Sequence, residues 1–163
     1  MDIPQGLNVR IEGHKITVKG PAGEVHRTFP KGVEVKSSGA TVEVTARDRA
    51  VKGTFEALIA GMLKGAQNGY TRNLKLLYAH FPISVEVKGQ DITIKNFLGE
   101  KQPRKTVLVG STKVQAKGQA VTVSGPDKEA VGQTVANMRT AMKIKDKDGR
   151  VFQDGLYDAG ESV

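Results

Sequence analysis

The chain has 163 residues, 25 basic against 17 acidic side chains, a formal net charge of +8, 38% hydrophobic residues, and neither cysteine nor tryptophan. That length allows one domain or two small ones with a modest core, and the missing cysteine excludes a disulfide framework, a thiolate metal site and a cysteine nucleophile. Three histidines cannot close a four-ligand zinc site by themselves, so no metal or cofactor is expected, and the excess of positive charge makes a polyanion the expected partner.

The opening MDIPQGLNVR has no basic region followed by an apolar stretch, and nowhere do about 18 apolar residues run together, so neither a signal peptide nor a membrane span is expected. Val9 to Gly13 and Ile16 to Lys19 alternate with period two, and His14-Lys15 beside Gly13 predicts a tight hairpin. A further strand is predicted over Gly39 to Val44. Thr45 and Asp48 then form a capping-box-like pair before a helix whose Val51, Phe55, Leu58, Ile59, Met62 and Leu63 share one face. Gly65 and Gly69 end that helix, and the Gly61 to Gly65 spacing reads as close helix packing and a cap.

After a junction near Tyr78 to Phe81 the plan repeats. Val85 to Gly89, Ile92 to Lys95 and Gly99-Glu100 echo Val9 to Gly13, Ile16 to Lys19 and Gly23-Glu24, with Gln90-Asp91 at the second hairpin. Gly118 to Val123 echoes Gly39 to Val44, and Ser124 with Asp127 precedes a helix carrying Val131, Val135, Met138 and Met142. The expected fold is α+β, two tandem repeats of roughly 75–80 residues, each a small antiparallel sheet packed on one helix. Residues 1–79 and 80–163 are expected to fold as separate units.

No GxGxxG, GxxxxGK, HExxH or GxSxG occurs, and no enzymatic activity is expected. His14, His26 and His80 are not paired at ligand spacing. For His80 a general base or pH switch is weighed against a packed histidine with backbone partners, and the second is preferred. Asp127 and Glu129 fall in a first helical turn, where negative charge complements the macrodipole without any catalytic role.

Acidic residues are absent from Lys101 to Pro126, a stretch holding Lys101, Arg104, Lys105, Lys113 and Lys117. Arg139, Lys143, Lys145, Lys147 and Arg150 follow along the second helix and its exit, diluted by Asp146 and Asp148. These ten residues are the candidate RNA-binding set. A solvated basic face is the plain alternative for either cluster alone. Residues 1–81 hold 12 basic and 7 acidic side chains and 82–163 hold 13 and 10, but the charges of the first half are interleaved, so a concentrated patch belongs to the second. Lysines and arginines on loops and helix ends suit the backbone of double-stranded RNA, whereas 5% aromatic residues argue against base stacking.

Ile144-x-x-Lys147-x-x-Arg150-x-Phe152-x-Asp154-Gly155-Leu156-Tyr157 resembles the C-terminal signature of the large ribosomal subunit protein six family, in its archaeal and eukaryotic form. Tyr78 to Ile83, Asn96 to Lys101 and Val18 to Gly23 match family segments as well, so the resemblance runs nearly end to end. The chain departs from the pattern at Thr140, Asp158 and Glu161, and RNA contact by the tail after Tyr157 is therefore not carried over. The resemblance implies two domains from a duplication and no catalysis. It further implies binding of large-subunit rRNA near the base of the sarcin-ricin loop, close to the translation-factor site, among neighbouring ribosomal proteins in the cytoplasm. Lys147 and Arg150 would meet RNA, Phe152, Leu156 and Tyr157 would pack the signature onto its domain, and Asp154-Gly155 would form its turn. The other basic residues are nominated from charge. Two alternatives are a basic protein-interaction module on another ribonucleoprotein, using the open sheet of the first repeat, and an enzyme with His80 in an interdomain cleft.

Overall fold

A computed structural model describes residues 1–38 and 41–159. Gly39 and Ala40 of one predicted strand, and the Glu161 departure, lie outside the described residues. The chain forms two compact α+β units, Met1–Tyr70 with Gly125–Lys128, and Thr71–Ser124 with Glu129–Val163.

In the first unit β1 (Asn8–Glu12), β2 (Lys15–Gly20) and β3 (Gly23–Thr28) form an antiparallel meander, and β4 (Val33–Ser38) pairs with β5 (Thr41–Ala46). The pairing Glu12↔Lys15 places the first turn at Gly13-His14, one residue before the predicted His14-Lys15. The reason is backbone conformation: the first turn residue has φ +57°, which glycine adopts without a steric cost. Ile16, Val18, Val25 and Val44 are buried against α1 (Arg49–Asn68), which contributes Ile59, Met62, Leu63 and Ala66.

Both capping-box expectations are displaced by three residues. Thr45 is still in β5, opposite Glu34, and Asp48 takes the N-cap backbone conformation without a side-chain cap bond. Ser124 is likewise in a strand, opposite Lys113. Hairpin register outweighs local capping at both sites. The glycine reading holds at the other end of α1. Gly69, at φ +74°, donates its N–H to the Gly65 carbonyl at 2.9 Å, and a side chain on Gly65 would collide with the Pro126 carbonyl.

The second unit repeats the meander as β7 (Ser84–Lys88), β8 (Asp91–Lys95) and β9 (Arg104–Val107), following β6 (Tyr70–Leu77). Its hairpin turn is again glycine-led, at Gly89-Gln90. β10 (Lys113–Lys117) and β11 (Ala120–Gly125) form the second hairpin, α2 (Lys128–Ala141) follows, and β12 (Gly155–Asp158) closes the chain of elements. The larger sheet has the order β10-β11-β6-β12. β6 therefore lies between strands of the second unit, burying Leu74 and Leu76, and the units divide at Tyr70/Thr71 where the sequence pointed to Tyr78 to Phe81. Val121, Val123 and Leu156 share the buried face with Val131, Val135 and Met138 of α2. Among the described residues, no helix is long and apolar enough to cross a membrane.

Candidate nucleic-acid interface

Strand alternation sorts the first basic cluster. Ile92 and Ile94 of β8 are buried and stand opposite Thr106 and Arg104, so Arg104 faces inward while Lys105, opposite Thr93, faces solvent. Every edge of the Arg104 guanidinium is used. Its Nε and one terminal nitrogen donate to the Glu100 carboxylate at 2.8 and 2.5 Å, and the other terminal nitrogen donates to the Ala141 and Lys143 carbonyls at 2.8 and 3.0 Å. The group also lies 4.4 Å from the centre of the buried Phe97 ring. Asn96 and Leu98 flank that ring with φ of +58° and +51°, a sharp backbone turn that sets Phe97 beneath the cation. The hydrogen bonds from Arg104 hold the Glu100 carboxyl below its ordinary range, and those to Glu100 raise the guanidinium. Arg104 thus braces β9 against the C-terminal end of α2, where its charge also opposes the helix dipole.

Arg139, the other inward cation, is ion-paired at 2.7 Å with Asp158, which also meets Arg72 at 3.3 Å. The hydrogen bond from Arg139, with its charge and that of Arg72, holds the Asp158 carboxyl below its ordinary range. The Arg139 Nε is buried with no acceptor among the described residues. Asp158 thus converts a departure from the resembled signature into a clamp between β12, β6 and α2.

The remaining candidates are exposed. Lys113 and Lys117 lie on β10, an edge of the larger sheet, and Lys101 precedes β9. Lys143, Lys145, Lys147 and Arg150 line the segment leaving α2. The Lys147 ammonium sits 4.7 Å from the centre of the Phe152 ring. Arg150 is 93% exposed, beside Asp148 at 3.4 Å. Asp148 organises this bend, accepting the Arg150 N–H with its carboxylate and the Val151 and Phe152 N–H groups with its carbonyl.

That bend corrects one expectation about the signature, since the turn is at Asp148 to Val151 and Asp154-Gly155 instead leads into β12. Asp154 is buried and accepts the Ala79 N–H at 2.5 Å. Its second oxygen faces His80 Nδ1 at 3.4 Å, and the His80 ring stacks on Phe152 at 5.3 Å. His80 therefore has a carboxylate for a neighbour, not the backbone partner expected. Leu156 packs inward, but Tyr157 is 44% exposed, contrary to the expectation that it packs. Sequence reasoning missed Phe97, Asp154 and Asp158 as the groups that hold the cations and the signature in place. The pair Glu100 and Arg104 was readable only from which face of β9 turns inward. Among the described residues, no group of three or more His, Asp or Glu is placed to hold a metal ion.

The family model for ribosomal protein L6 matches residues 3–69 and 81–155. Large ribosomal subunit protein uL6 of Sulfurisphaera tokodaii is 44% identical over 96% of this chain and 88% of its own length. Those of Methanocella arvoryzae and Methanobrevibacter smithii are 43% and 44% identical, each over 96% of this chain and over 93% and 92% of their own lengths.

Proposed function

The chain belongs to the ribosomal protein L6 family, as a structural, non-enzymatic constituent of the large ribosomal subunit in the cytoplasm, and on that premise we propose that its second unit supplies the main rRNA contact. The observation that carries this reading is the Lys143 to Arg150 segment, a run of exposed cations whose start is gripped by Arg104 and whose Lys147 is held over Phe152. Fixed cations on a short segment suit phosphate contacts that set the position of a protein on structured RNA. Lys143, Lys145, Lys147 and Arg150 are the principal contacts in this proposal. Lys101, Lys105, Lys113 and Lys117 add to the field, while Arg104 spends its donors on the fold and Arg139 is paired with Asp158. The proposed location is near the base of the sarcin-ricin loop and beside the translation-factor site, supported by the resemblance of the signature that contains Lys147 and Arg150.

Hydroxyl-radical footprinting of the full chain on large-subunit RNA tests this, with binding followed across a salt titration. Protection of the sarcin-ricin base and a steep fall of affinity with salt are expected, since each neutralised phosphate adds to the slope. Lys147→Glu with Arg150→Glu should weaken binding by on the order of 10²-fold or more, because two charged hydrogen bonds at about 1.5–3 kcal/mol each are lost. An unchanged footprint and affinity, with an unchanged far-UV dichroism spectrum, would overturn the assignment.

A further inference from the structure

The four-stranded sheet of the second unit has one face buried against α2 and one face open. Leu74, Leu76, Val121, Val123 and Leu156 point to the buried face. The registers Leu156↔Leu76, Tyr157↔Lys75 and Val114↔Val123 then put Tyr157, Lys75, Lys113 and Lys117 on the other. Thr122 and Asn73 share this open face, joined at 3.2 Å between Oγ1 and Oδ1.

Three observations make this face more than an exposed sheet. First, Tyr157 is 44% exposed although it stands within a hydrogen-bonded strand. Second, Gly155 occupies the same face two residues earlier, and the Tyr157 ring atoms lie 3.5–3.9 Å from the point where a side chain would begin there. The ring lies along β12, over a position with no side chain to lift it away. Third, alternation assigns no Asp or Glu to this face among the described residues, because Asp158, the acid of β12, pairs opposite Leu74 and so belongs to the buried side. Lys75 stands directly across from Tyr157, and Lys113 and Lys117 lie on the far edge strand. Neighbouring strands are about 4.8 Å apart, so the lysines lie to one side of the ring, one strand and three strands away, over roughly 14 Å of sheet.

We propose that this open face binds an unpaired stretch of RNA, with one base stacked on Tyr157 and the backbone held by Lys75, Lys113 and Lys117. The proposal rests on the RNA-binding reading above; it departs from the composition-based expectation against base stacking at one exposed ring, and adds a contact distinct in chemistry from the phosphate contacts of Lys143 to Arg150. A half-open aromatic ring beside lysines offers a base its π-face and a phosphate its counter-charge, which is how single-stranded RNA is held. An acidic peptide would also meet the lysines, but a flat base offers the half-open ring a stacking partner that a carboxylate chain lacks.

The chain contains no tryptophan, so Tyr157→Trp introduces a single tryptophan at this position, which can be excited selectively at wavelengths where tyrosine does not absorb. The full-length variant is titrated with a short unstructured oligoribonucleotide, an RNA duplex of the same length, and polyglutamate. Saturable quenching by the unstructured RNA, and weaker quenching by the duplex, is expected. Tyr157→Ala should weaken binding of the unstructured RNA about 5- to 150-fold, from the typical effect of removing one stacking ring, while Tyr157→Phe keeps it. Lys75→Gln should lower the salt slope by about 0.7, the value for one contact on a single strand. Absence of quenching by RNA, or Tyr157→Ala binding like the parent, overturns the proposal. Quenching by polyglutamate alone overturns it in favour of a protein-docking face. If the parent footprints on large-subunit RNA while these variants change nothing, this face alone is misassigned. If the parent fails to bind large-subunit RNA at all, the broader reading fails with it.

Discussion

Replacing Arg104 separates a brace from an RNA contact. Arg104→Met keeps the length of the stem but removes the bidentate pair with Glu100, the two carbonyl bonds to the end of α2 and the stack on Phe97. The pair is partly exposed, at 26% and 39% for its two side chains, so solvent screening limits it to about 1 kcal/mol. Two carbonyl hydrogen bonds contribute about 0.5–1.5 kcal/mol each and the ring contact about 0.5–1 kcal/mol. The sum is about 2.5–5 kcal/mol. Urea unfolding followed by far-UV dichroism should register this as a midpoint lowered by roughly 1–2.5 M, taking a slope near 2 kcal/mol per molar. Arg104→Lys keeps the charge but not the fork, and should lose most of the same stability. The salt dependence of RNA binding should be unchanged in both variants. The reasoning is refuted if Arg104→Met unfolds at the parental midpoint while its salt slope on duplex RNA falls by about one unit, the signature of a lost phosphate contact.

Two glycines of α1 should respond with opposite signs. Gly65→Ala drives a methyl group toward the Pro126 carbonyl and the Tyr70 ring and should cost about 1–3 kcal/mol, whereas Gly53→Ala meets nothing within 4 Å and should stabilise by up to about 1 kcal/mol. A fragment 71–163 should protect amides of β11 and α2 from hydrogen exchange better than 80–163, because the shorter piece lacks the buried Leu74 and Leu76 of β6; equal protection would make β6 dispensable. Glu100 and Asp158 both have lowered carboxyl values in the folded chain, so their stabilisation is complete above the unfolded carboxylate range near pH 4 and is lost as pH falls through the lowered values. Asp158→Asn should therefore flatten the acid limb of a stability–pH curve, and an acid limb identical to the parent's would exclude the clamp as its source.

The duplication was legible because each copy repeats its buried positions at a constant offset: Ile16 and Val18 recur as Ile92 and Ile94, all four fully buried. Helix faces were legible for the same reason, with Val131, Val135, Met138 and Met142 all buried. What periodicity cannot carry is which sheet a strand joins. β6 follows α1 directly, yet its partners β11 and β12 lie far along the chain, and nothing in the pattern of Tyr70 to Leu77 names them. The candidate site was legible as composition and less so as geometry. A count of charges weighs Arg104 and Lys105 equally, but one pleat separates a guanidinium with four internal hydrogen bonds from an ammonium in solvent. Tyr157 escaped because an aromatic residue next to Leu156 reads as core until strand alternation assigns the two to opposite faces.

The two copies end their helices by different means, and the difference explains where an RNA-contacting segment can sit. α1 stops at Gly69, whose positive φ and backbone bond to Gly65 turn the chain straight into β6, leaving no room for an exposed excursion. α2 ends at Ala141 without such a glycine. The Met138 and Thr140 carbonyls accept the Met142 and Lys143 N–H groups, the Arg104 side chain takes the carbonyls of Ala141 and Lys143, and the chain leaves as Lys143 to Arg150 before returning in β12. At the offset that maps Glu24 onto Glu100, Arg104 corresponds to Thr28, a side chain that cannot reach across to a helix end. An arginine at that one position therefore does for the second copy what a glycine does for the first. With the backbone bonds from Met142 and Lys143 it completes the helix terminus and takes the carbonyls that face the exit, so that a cationic segment can be presented there without unravelling the helix behind it.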